Sequence, residues 1–399
     1  MNHIQQRANG LFIQPAQRTW LAEEYYFSRK LAEVRKLDTP QYRVINLGIG
    51  NPDLPPAPEV IAELRAVARD ANSHGYQSYR GIPALREAIA SFMQLHYNVS
   101  LQAESMILPL MGSKEGIFHI TQAFVNPGDK VLVPDPGYPA YSAAAHIAGA
   151  EVIAYPVHTN HASAVAIHEL RNSLHKVKLM WINFPHMPTG VTASAEEFQS
   201  LVDLAHENRF LIVHDNPYSF ILNKTPQSIL TANGAAEVAL ELHSLSKSHN
   251  MAGWRVGWVA GKPEYLDAIL RIKSNMDSGM FLGIQRAAIA ALRLGRAWYD
   301  QQNFIYSRRK ELATEILRAL SCSFTNNQSG MFVWAKVPDS VENVETWIDA
   351  ILYEAKVFIA PGFIFGPGGN RYVRLSLCCP EADMQEALKR ITHFVKAKR

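Results

Sequence analysis

The part of this sequence that most strongly suggests a catalytic role is a lysine between two serines. In HSLSKSHNMAGWRVGW, residues 243–258, Ser244, Ser246, Lys247 and Arg255 follow an apolar run. Two hydroxyls, an amine and a guanidinium suit a ligand with a phosphate and a carbonyl, because arginine offers forked donors that match phosphate. An amine beside cationic or apolar neighbours can lose its proton and form a Schiff base. An exposed lysine in a loop would explain the same segment, so these residues alone do not establish a chemical role for Lys247.

A second motif, MGSKEGIFH at residues 111–119, places Ser113 and Lys114 after a predicted strand and at the start of a predicted helix. Free amides and the positive end of the helix dipole make such a position an anion site. The motif is neither a Walker A loop nor a GxGxxG fingerprint. A plain capped helix explains it equally well.

Two further motifs also follow apolar runs. In HDNPYSF, Asp215 ends such a run and Tyr218 lies three residues later, while DPGYP presents the ring of Tyr138. Ligands bind at the carboxyl ends of parallel strands, where Asp215 is expected. The alternatives are a helix cap for Asp215 and a core aromatic in a turn for Tyr138.

The elements that must position these motifs alternate between apolar runs and helical patterns. Predicted strands lie at residues 106–110, 131–133, 151–155, 179–183, 210–214, 239–243 and 256–260. This alternation predicts an α/β fold with an open, mostly parallel sheet covered by helices. The C-terminal part follows an α+β pattern. We therefore expect a large domain at residues 46–285 and a smaller α+β domain built from residues 1–45 and 286–399.

Together the motifs supply a phosphate cradle, a stacking ring, a carboxylate, a phenol and a reactive lysine on one sheet edge. This inventory matches pyridoxal 5′-phosphate. The carboxylate would keep the pyridine nitrogen protonated, so that the ring can accept electrons from a carbanion at an amino acid's α-carbon.

In this ordered combination, the chain resembles the class I/II aminotransferases of the fold-type I pyridoxal-phosphate family, from about Ile45 to the C-terminal helix. GSKEGI, FVNPGD and GIGNPDLP are most similar to the alanine and LL-diaminopimelate branch. The resemblance implies a seven-stranded sheet in the large domain. It also implies ping-pong transamination from an L-amino acid to a 2-oxo acid, and a homodimer with shared active sites.

The resemblance also implies roles for individual residues. Lys247 would form the Schiff base and act as general acid–base, Asp215 would contact the pyridine nitrogen, and Tyr218 would contact the phenolic oxygen. Tyr138 would stack on the ring. The expected phosphate ligands are Ser113, Lys114, Ser244, Ser246, Arg255 and, from YQSYRG, Tyr76 of the other subunit.

The expected substrate site contains three residues. RYVRLSL places the arginine for the α-carboxylate at Arg374, whereas Arg371 is expected on the surface. LGIGNPD places Gly50 in a loop that closes over the substrate, and Asn183 opens the stretch NFPHMPTG beside the cofactor.

Met187 departs from the family pattern, in which asparagine precedes Pro-Thr-Gly and donates to the cofactor's phenolic oxygen. A thioether is at best a weak acceptor and cannot donate. His186 is the nearest polar residue, but on an extended segment it should point the other way. We therefore expect Tyr218 to be the main protein donor to that oxygen, and Met187 to line the cofactor site.

Composition limits the other possibilities. The 39 Lys+Arg and 36 Asp+Glu give a formal charge of +3, which argues against nucleic-acid or acidic-membrane partners. Three cysteines, and an N-terminus without an apolar core for a signal peptide, predict a cytoplasmic protein without a metal site. Other open interpretations are a C–S β-lyase, a decarboxylase and a non-catalytic cofactor-binding module. A nicotinamide dehydrogenase is disfavoured because GxGxxG is missing.

Overall fold

The computed structural model describes residues 12–20, 26–159, 165, 167–170 and 174–398. The predicted small-domain segment at residues 1–45 therefore lies partly outside the described residues. The strands are β1 (Ile45–Asn46), β2 (Ile107–Leu110), β3 (Lys130–Asp135), β4 (Glu151–Pro156), β5 (Val177–Asn183), β6 (Leu211–Asp215), β7 (Ala239–Ser244), β8 (Gly257–Gly261), β9 (Phe332–Lys336), β10 (Val357–Phe358), β11 (Ala360–Pro361) and β12 (Tyr372–Ser376).

Helices alternate with these strands along most of the chain. They are α1 (Tyr26–Leu37), α2 (Pro58–Ala68), α3 (Pro83–Tyr97), α4 (Ser113–Phe124), α5 (Pro139–Ile147), α6 (Ile167–Leu170), α7 (Ala195–Asn208), α8 (Ala235–Val238), α9 (Leu245–Ser248), α10 (Pro263–Lys273), α11 (Leu282–Leu292), α12 (Arg296–Ala319), α13 (Val344–Ala350) and α14 (Glu381–Ala397).

A seven-stranded sheet runs in the order β2-β8-β7-β6-β5-β3-β4. β8 runs antiparallel to both of its neighbours, β2 and β7, and the other six strands share one direction. The central strands are buried along their length, as β6 and β7 show, because apolar clusters cover both faces of the sheet. The predicted α/β fold with a mostly parallel sheet of seven strands is confirmed.

The motifs meet at one edge of this sheet because of its register. Asn183 and Asp215 are paired at the carboxyl ends of β5 and β6, and Ser244 at the end of β7 pairs with Gly257 at the start of β8. Since β8 runs in the opposite direction, its entry loop, with Arg255, lies at the same edge. β2 also ends there, because Leu110 pairs with Gly257.

A second, antiparallel sheet of order β11-β12-β9 lies in the C-terminal part, and β1 pairs with β10. The apolar core beneath it also includes Met187 and Tyr218 from the edge of the large sheet. The division into domains at residues 46–285 and the two terminal segments stays a prediction. Within the described ranges, every helix is too short or too polar to span a bilayer.

Candidate active site

A cavity of about 1010 Å³ opens at the carboxyl edge of the large sheet. It brings together all but one of the residues that the sequence singled out. They are Gly50, Ser113, Lys114, Tyr138, Asn183, Met187, Asp215, Tyr218, Ser244, Ser246, Lys247, Arg255 and Arg374.

Lys247 lies in the single helical turn α9, directly after β7. Ser244 caps this turn, with its Oγ accepting from the amide of Ser246 at 3.1 Å. The Nζ of Lys247 donates to the carbonyl of Gly50 at 2.7 Å. Burial lowers the pKa of Lys247, and the charges of Arg374 and Arg255 act in the same direction. A lowered pKa favours the neutral amine, which is the nucleophilic form.

The first turn of α4 and the entry loop of β8 form an anion cradle. Gly112 precedes α4 at φ 87°, a conformation that favours glycine, and a Cβ there would overlap the guanidinium of Arg255. Arg255 also donates from Nη1 to Ser246 Oγ at 3.3 Å. Burial and the charge of Arg255 lower the pKa of Lys114. A phosphate here would face two cations and the amides of a twelve-residue helix, so these residues fit it.

Asp215 is a buried carboxylate with one oxygen unused. Its Oδ2 accepts from the hydroxyl of Tyr141 at 2.7 Å, whereas its buried Oδ1 has no hydrogen-bond partner among the described residues. Burial raises the pKa of Asp215 to about 7, although the hydrogen bond from Tyr141 opposes this shift. A protonated pyridine nitrogen would supply both a donor and a positive charge. The donor set therefore fits pyridoxal 5′-phosphate at the ring end as well.

Tyr141 is a site residue that the sequence analysis missed. It is buried in α5, and its ring stacks on Trp181 at 5.0 Å between centroids with an interplanar angle of 8°. Its position three residues after Tyr138, about one turn into the predicted helix, was the available signal. Tyr138 itself precedes α5 and packs edge-on against Tyr141.

Asn183 ties the loop that follows β5 to the end of β6. Its Nδ2 donates to the carbonyl of Asp215 at 2.6 Å, and its Oδ1 accepts from the amide of Met187 at 2.8 Å. Both groups of this amide therefore hold backbone, although the side chain lines the cavity. The assignment of Asn183 to substrate binding stays a prediction.

The loop at residues 184–191 is a closed turn. The amide of His186 donates to the carbonyl of Val191, and the amide of Gly190 donates to the carbonyl of His186, both at 2.7 Å. Gly190 has φ 74°, and a Cβ there would press against Gln328. The ring of His186 contacts Thr189 Oγ1 at 2.7 Å and does not line the cavity. The expectation that His186 points away from the site stays a prediction, and its contact with Thr189 is consistent with it.

Arg374 on β12 is buried between two aromatic rings. Its guanidinium carbon lies 3.9 Å from the ring centroid of Phe332 and 4.6 Å from that of Phe365. Nη2 donates to the carbonyl of Gly48 at 2.8 Å, while the buried Nε has no partner among the groups that the structure describes. Burial lowers its pKa to about 10. A buried cation with donors to spare is suited to a carboxylate.

The glycine loop before α2 closes over this arginine. A Cβ at Gly50 would overlap the ring of Phe332, so only glycine lets the loop approach so closely. Tyr218 packs edge-on against Phe332 at 5.9 Å, and burial raises its pKa. Tyr76 is the predicted residue that does not line the cavity, and its side chain is 92% exposed.

Comparisons with known proteins agree with this geometry. The family model described as aminotransferase class I and II matches residues 42–391. An LL-diaminopimelate aminotransferase of Dehalococcoides mccartyi is 38% identical over 373 residues, which cover 93% of this chain and 95% of that protein. Transaminase BacF of Bacillus subtilis is 34% identical over 368 residues, covering 92% of each chain. The apo-BacF structure has a TM-score of 0.91 at 33% identity, covering 96% of this chain and 98% of that one.

These relatives carry names of transaminases, which confirms the predicted reaction class and cofactor and does not favour a lyase or a decarboxylase. Because the family model spans most of the chain, the protein belongs to the class I and II aminotransferases, enzymes that use pyridoxal 5′-phosphate.

Proposed function

We propose that Lys247 is the residue that binds the cofactor covalently and that Arg374 binds the α-carboxylate of the amino acid. The observation that carries this proposal is that Lys247 lines one cavity with two cations, Arg255 and Arg374, whose charges both lower its pKa. One site suits a phosphate and the other a carboxylate. A substrate held at Arg374 would present its amino group to the lysine end of the same cavity.

The remaining residues would orient the cofactor and polarise its ring. Ser113, Lys114, Ser244, Ser246 and Arg255 would hold the phosphate. When bound, the cofactor supplies a ring that accepts the electrons released at the substrate's α-carbon.

Asp215 would stabilise positive charge at the ring nitrogen, because its unused Oδ1 is buried and can accept a hydrogen bond. Tyr138 would stack on the ring, and Tyr218 would donate to its phenolic oxygen. Lys247 Nζ, with its lowered pKa, would take and hold the proton at the α-carbon.

The names of the relatives do not identify one amino donor for this chain. An LL-diaminopimelate aminotransferase and transaminase BacF are 38% and 34% identical to this chain, so relatives of similar distance carry different names. For efficient turnover, the proposal requires a donor with an α-amino group and an α-carboxylate.

We also propose a homodimer in which Tyr76 reaches the phosphate of the other subunit. The high exposure of Tyr76 supports this assignment, since such a side chain is free to enter a neighbouring site. We further propose that the protein acts in the cytoplasm. Its three cysteines are all free thiols, as expected for a reducing compartment.

The proposal is tested with Lys247→Ala. We expect this variant to lose transamination of any donor with 2-oxoglutarate or pyruvate. Borohydride reduction of the wild-type holoenzyme should attach the cofactor to the peptide that contains Lys247, and mass spectrometry should find no such adduct in the variant. Lys310→Ala, a lysine on α12 outside the cavity, is the control and should keep both properties. An adduct on another lysine, or activity in Lys247→Ala, would refute the proposal.

A further inference from the structure

The cavity has a second end that is built from apolar side chains. Tyr26, Phe27 and Leu31 on α1 line this end together with Phe363 and Ile364 on the 3₁₀ turn Gly362–Phe365. None of these residues belongs to the motifs at the carboxyl edge of the large sheet. This aromatic end is therefore a separate feature of the site that the cofactor residues do not explain.

Direct contacts connect the aromatic end to the carboxylate arginine. The ring of Phe365 lies against Arg374 at 4.6 Å, and Phe363 is two residues before it on the same turn. Phe363 meets Tyr26 edge to face, with centroids 5.1 Å apart and an interplanar angle of 81°. A substrate whose α-carboxylate lies at Arg374 would occupy the same cavity as these rings.

The aromatic end is held in place by contacts with residues outside the cavity. Phe27 packs on Phe358 with centroids 5.9 Å apart, and Leu31 joins the same cluster. The turn that carries Phe363 is held to the loop before α5, because the amide of Gly137 donates to the carbonyl of Phe365 at 2.7 Å. Anchored aromatic rings of this kind form a preformed surface for a flat apolar group.

The charged side chains in the described lining of the cavity leave little to recognise a second polar group on the substrate. The charged residues of the described lining have roles elsewhere, at the phosphate (Lys114, Arg255), the ring (Asp215), the amine (Lys247) and the α-carboxylate (Arg374). The other polar side chains of the lining, tyrosines apart, are serines, Asn183 and His146. Among the described lining residues of this chain, a distal ammonium or carboxylate at the aromatic end would find no charged side chain to pair with, and losing water without a paired charge is costly.

We propose that the amino donor carries a large apolar side chain, above all an aromatic one, and that Tyr26, Phe27 and Phe363 bind it. This inference rests on the proposed function, because it places the donor's carboxylate at Arg374. It distinguishes this chain from a diaminopimelate aminotransferase, whose substrate carries a second ammonium and a second carboxylate.

The first experiment compares kcat/KM of the holoenzyme for L-phenylalanine, L-alanine and LL-diaminopimelate with 2-oxoglutarate as acceptor. We expect L-phenylalanine to be preferred by about tenfold or more over each of the others. Phe363→Ala should lower kcat/KM for L-phenylalanine roughly 10- to 100-fold and for L-alanine by less than about threefold. Phe304→Ala, an exposed aromatic on α12 outside the cavity, is the matched control and should change neither value.

The second experiment measures binding without chemistry, by calorimetry on the holoenzyme. The probes are 3-phenylpropanoate, which has an aromatic ring and one carboxylate, and heptanedioate, which has two carboxylates and no ring. We expect 3-phenylpropanoate to bind about tenfold more tightly, and Phe363→Ala to remove that preference. A circular dichroism spectrum and a melting temperature like those of the wild type establish that the variant is folded.

The outcomes separate this inference from the proposed function. A preference for LL-diaminopimelate, or equal losses for L-phenylalanine and L-alanine in Phe363→Ala, overturns the aromatic end and leaves transamination standing. If no donor is transaminated, the proposed function fails, and the relative affinities of 3-phenylpropanoate and heptanedioate still decide the inference.

Discussion

Arg374 directs its Nη1 at the thioether sulfur of Met187, at a distance of 3.2 Å. A thioether is a weak acceptor, so this contact uses little of the guanidinium's hydrogen-bonding capacity. Met187 is buried and also packs in the apolar core below the second sheet. The methionine that departs from the family pattern therefore lies between the cofactor loop and the carboxylate arginine, and it leaves the arginine available to a substrate.

The first prediction concerns the lost amide donor. Met187→Asn should restore a donor to the cofactor's phenolic oxygen, which stabilises its deprotonated form. The pH midpoint of the holoenzyme's visible absorbance change should therefore fall below that of the wild type. Met187→Leu, which cannot donate either, should keep the wild-type midpoint. An unchanged or higher midpoint in Met187→Asn would contradict the assignment of residue 187 to this oxygen.

The second prediction concerns the stability of the cofactor-free protein. Burial raises the pKa of Asp215 to about 7 from 3.8, so folding favours the protonated carboxyl. Stability from this group is present below pH 4 and is lost as the pH rises towards 7 and above. Without cofactor, the free energy of unfolding of Asp215→Asn should therefore rise relative to that of the wild type between pH 4 and pH 8, by up to about 4 kcal/mol.

Urea denaturation of both proteins across this pH range measures the effect. Asp339→Asn, which removes a carboxylate that is 91% exposed, should show no such pH-dependent gain. With the cofactor bound, the wild type should be more stable than Asp215→Asn. The carboxylate can pair with the positive charge of the cofactor's ring nitrogen, whereas the amide of the variant cannot. A stability difference that does not vary with pH would show that Asp215 does not titrate in this window.

Sequence was sufficient for the sheet edge because its signals are local. Apolar runs predict the strands, and the residues that follow them, such as Asp215 and Lys247, must lie at the carboxyl edge. Contacts between distant segments were not predictable in the same way. Tyr141 reaches Asp215 across 74 residues of chain, and Tyr26 meets Phe363 from the opposite end of the sequence. Such pairs depend on tertiary packing, which spacing within a motif does not encode.

The third prediction separates two arginines of one segment. Arg374 is buried and Arg371, three residues earlier, donates to the carbonyls of Val341 and Pro338 near the surface. Arg374→Lys keeps the charge but loses the fork that binds a carboxylate through two parallel hydrogen bonds. We expect kcat/KM for L-amino acids to fall about 100-fold, mainly through KM, and Arg371→Lys to change it by less than about twofold.

An amine without a carboxylate is the control substrate for this pair. Slow transamination of 2-phenylethylamine should be equally slow in the wild type and in Arg374→Lys, since no carboxylate is present to be lost. If the variant loses activity equally towards the amine and the amino acid, Arg374 supports the site in another way than by binding carboxylate.

The last prediction tests sharing of sites between subunits through Tyr76. Its hydroxyl should donate to the phosphate in the other subunit, so Tyr76→Phe should weaken cofactor binding by the apoprotein about tenfold, as expected for one hydrogen bond to a charged group.

A hybrid dimer of one Lys247→Ala subunit and one Tyr76→Phe subunit then has one complete site, with Lys247 from one chain and Tyr76 from the other. At limiting cofactor it should reach half the wild-type activity. If Tyr76 served its own subunit, every site of the hybrid would carry a defect and the activity would stay at half that of the Tyr76→Phe dimer. Tyr79→Phe, at the neighbouring tyrosine, should leave cofactor affinity unchanged.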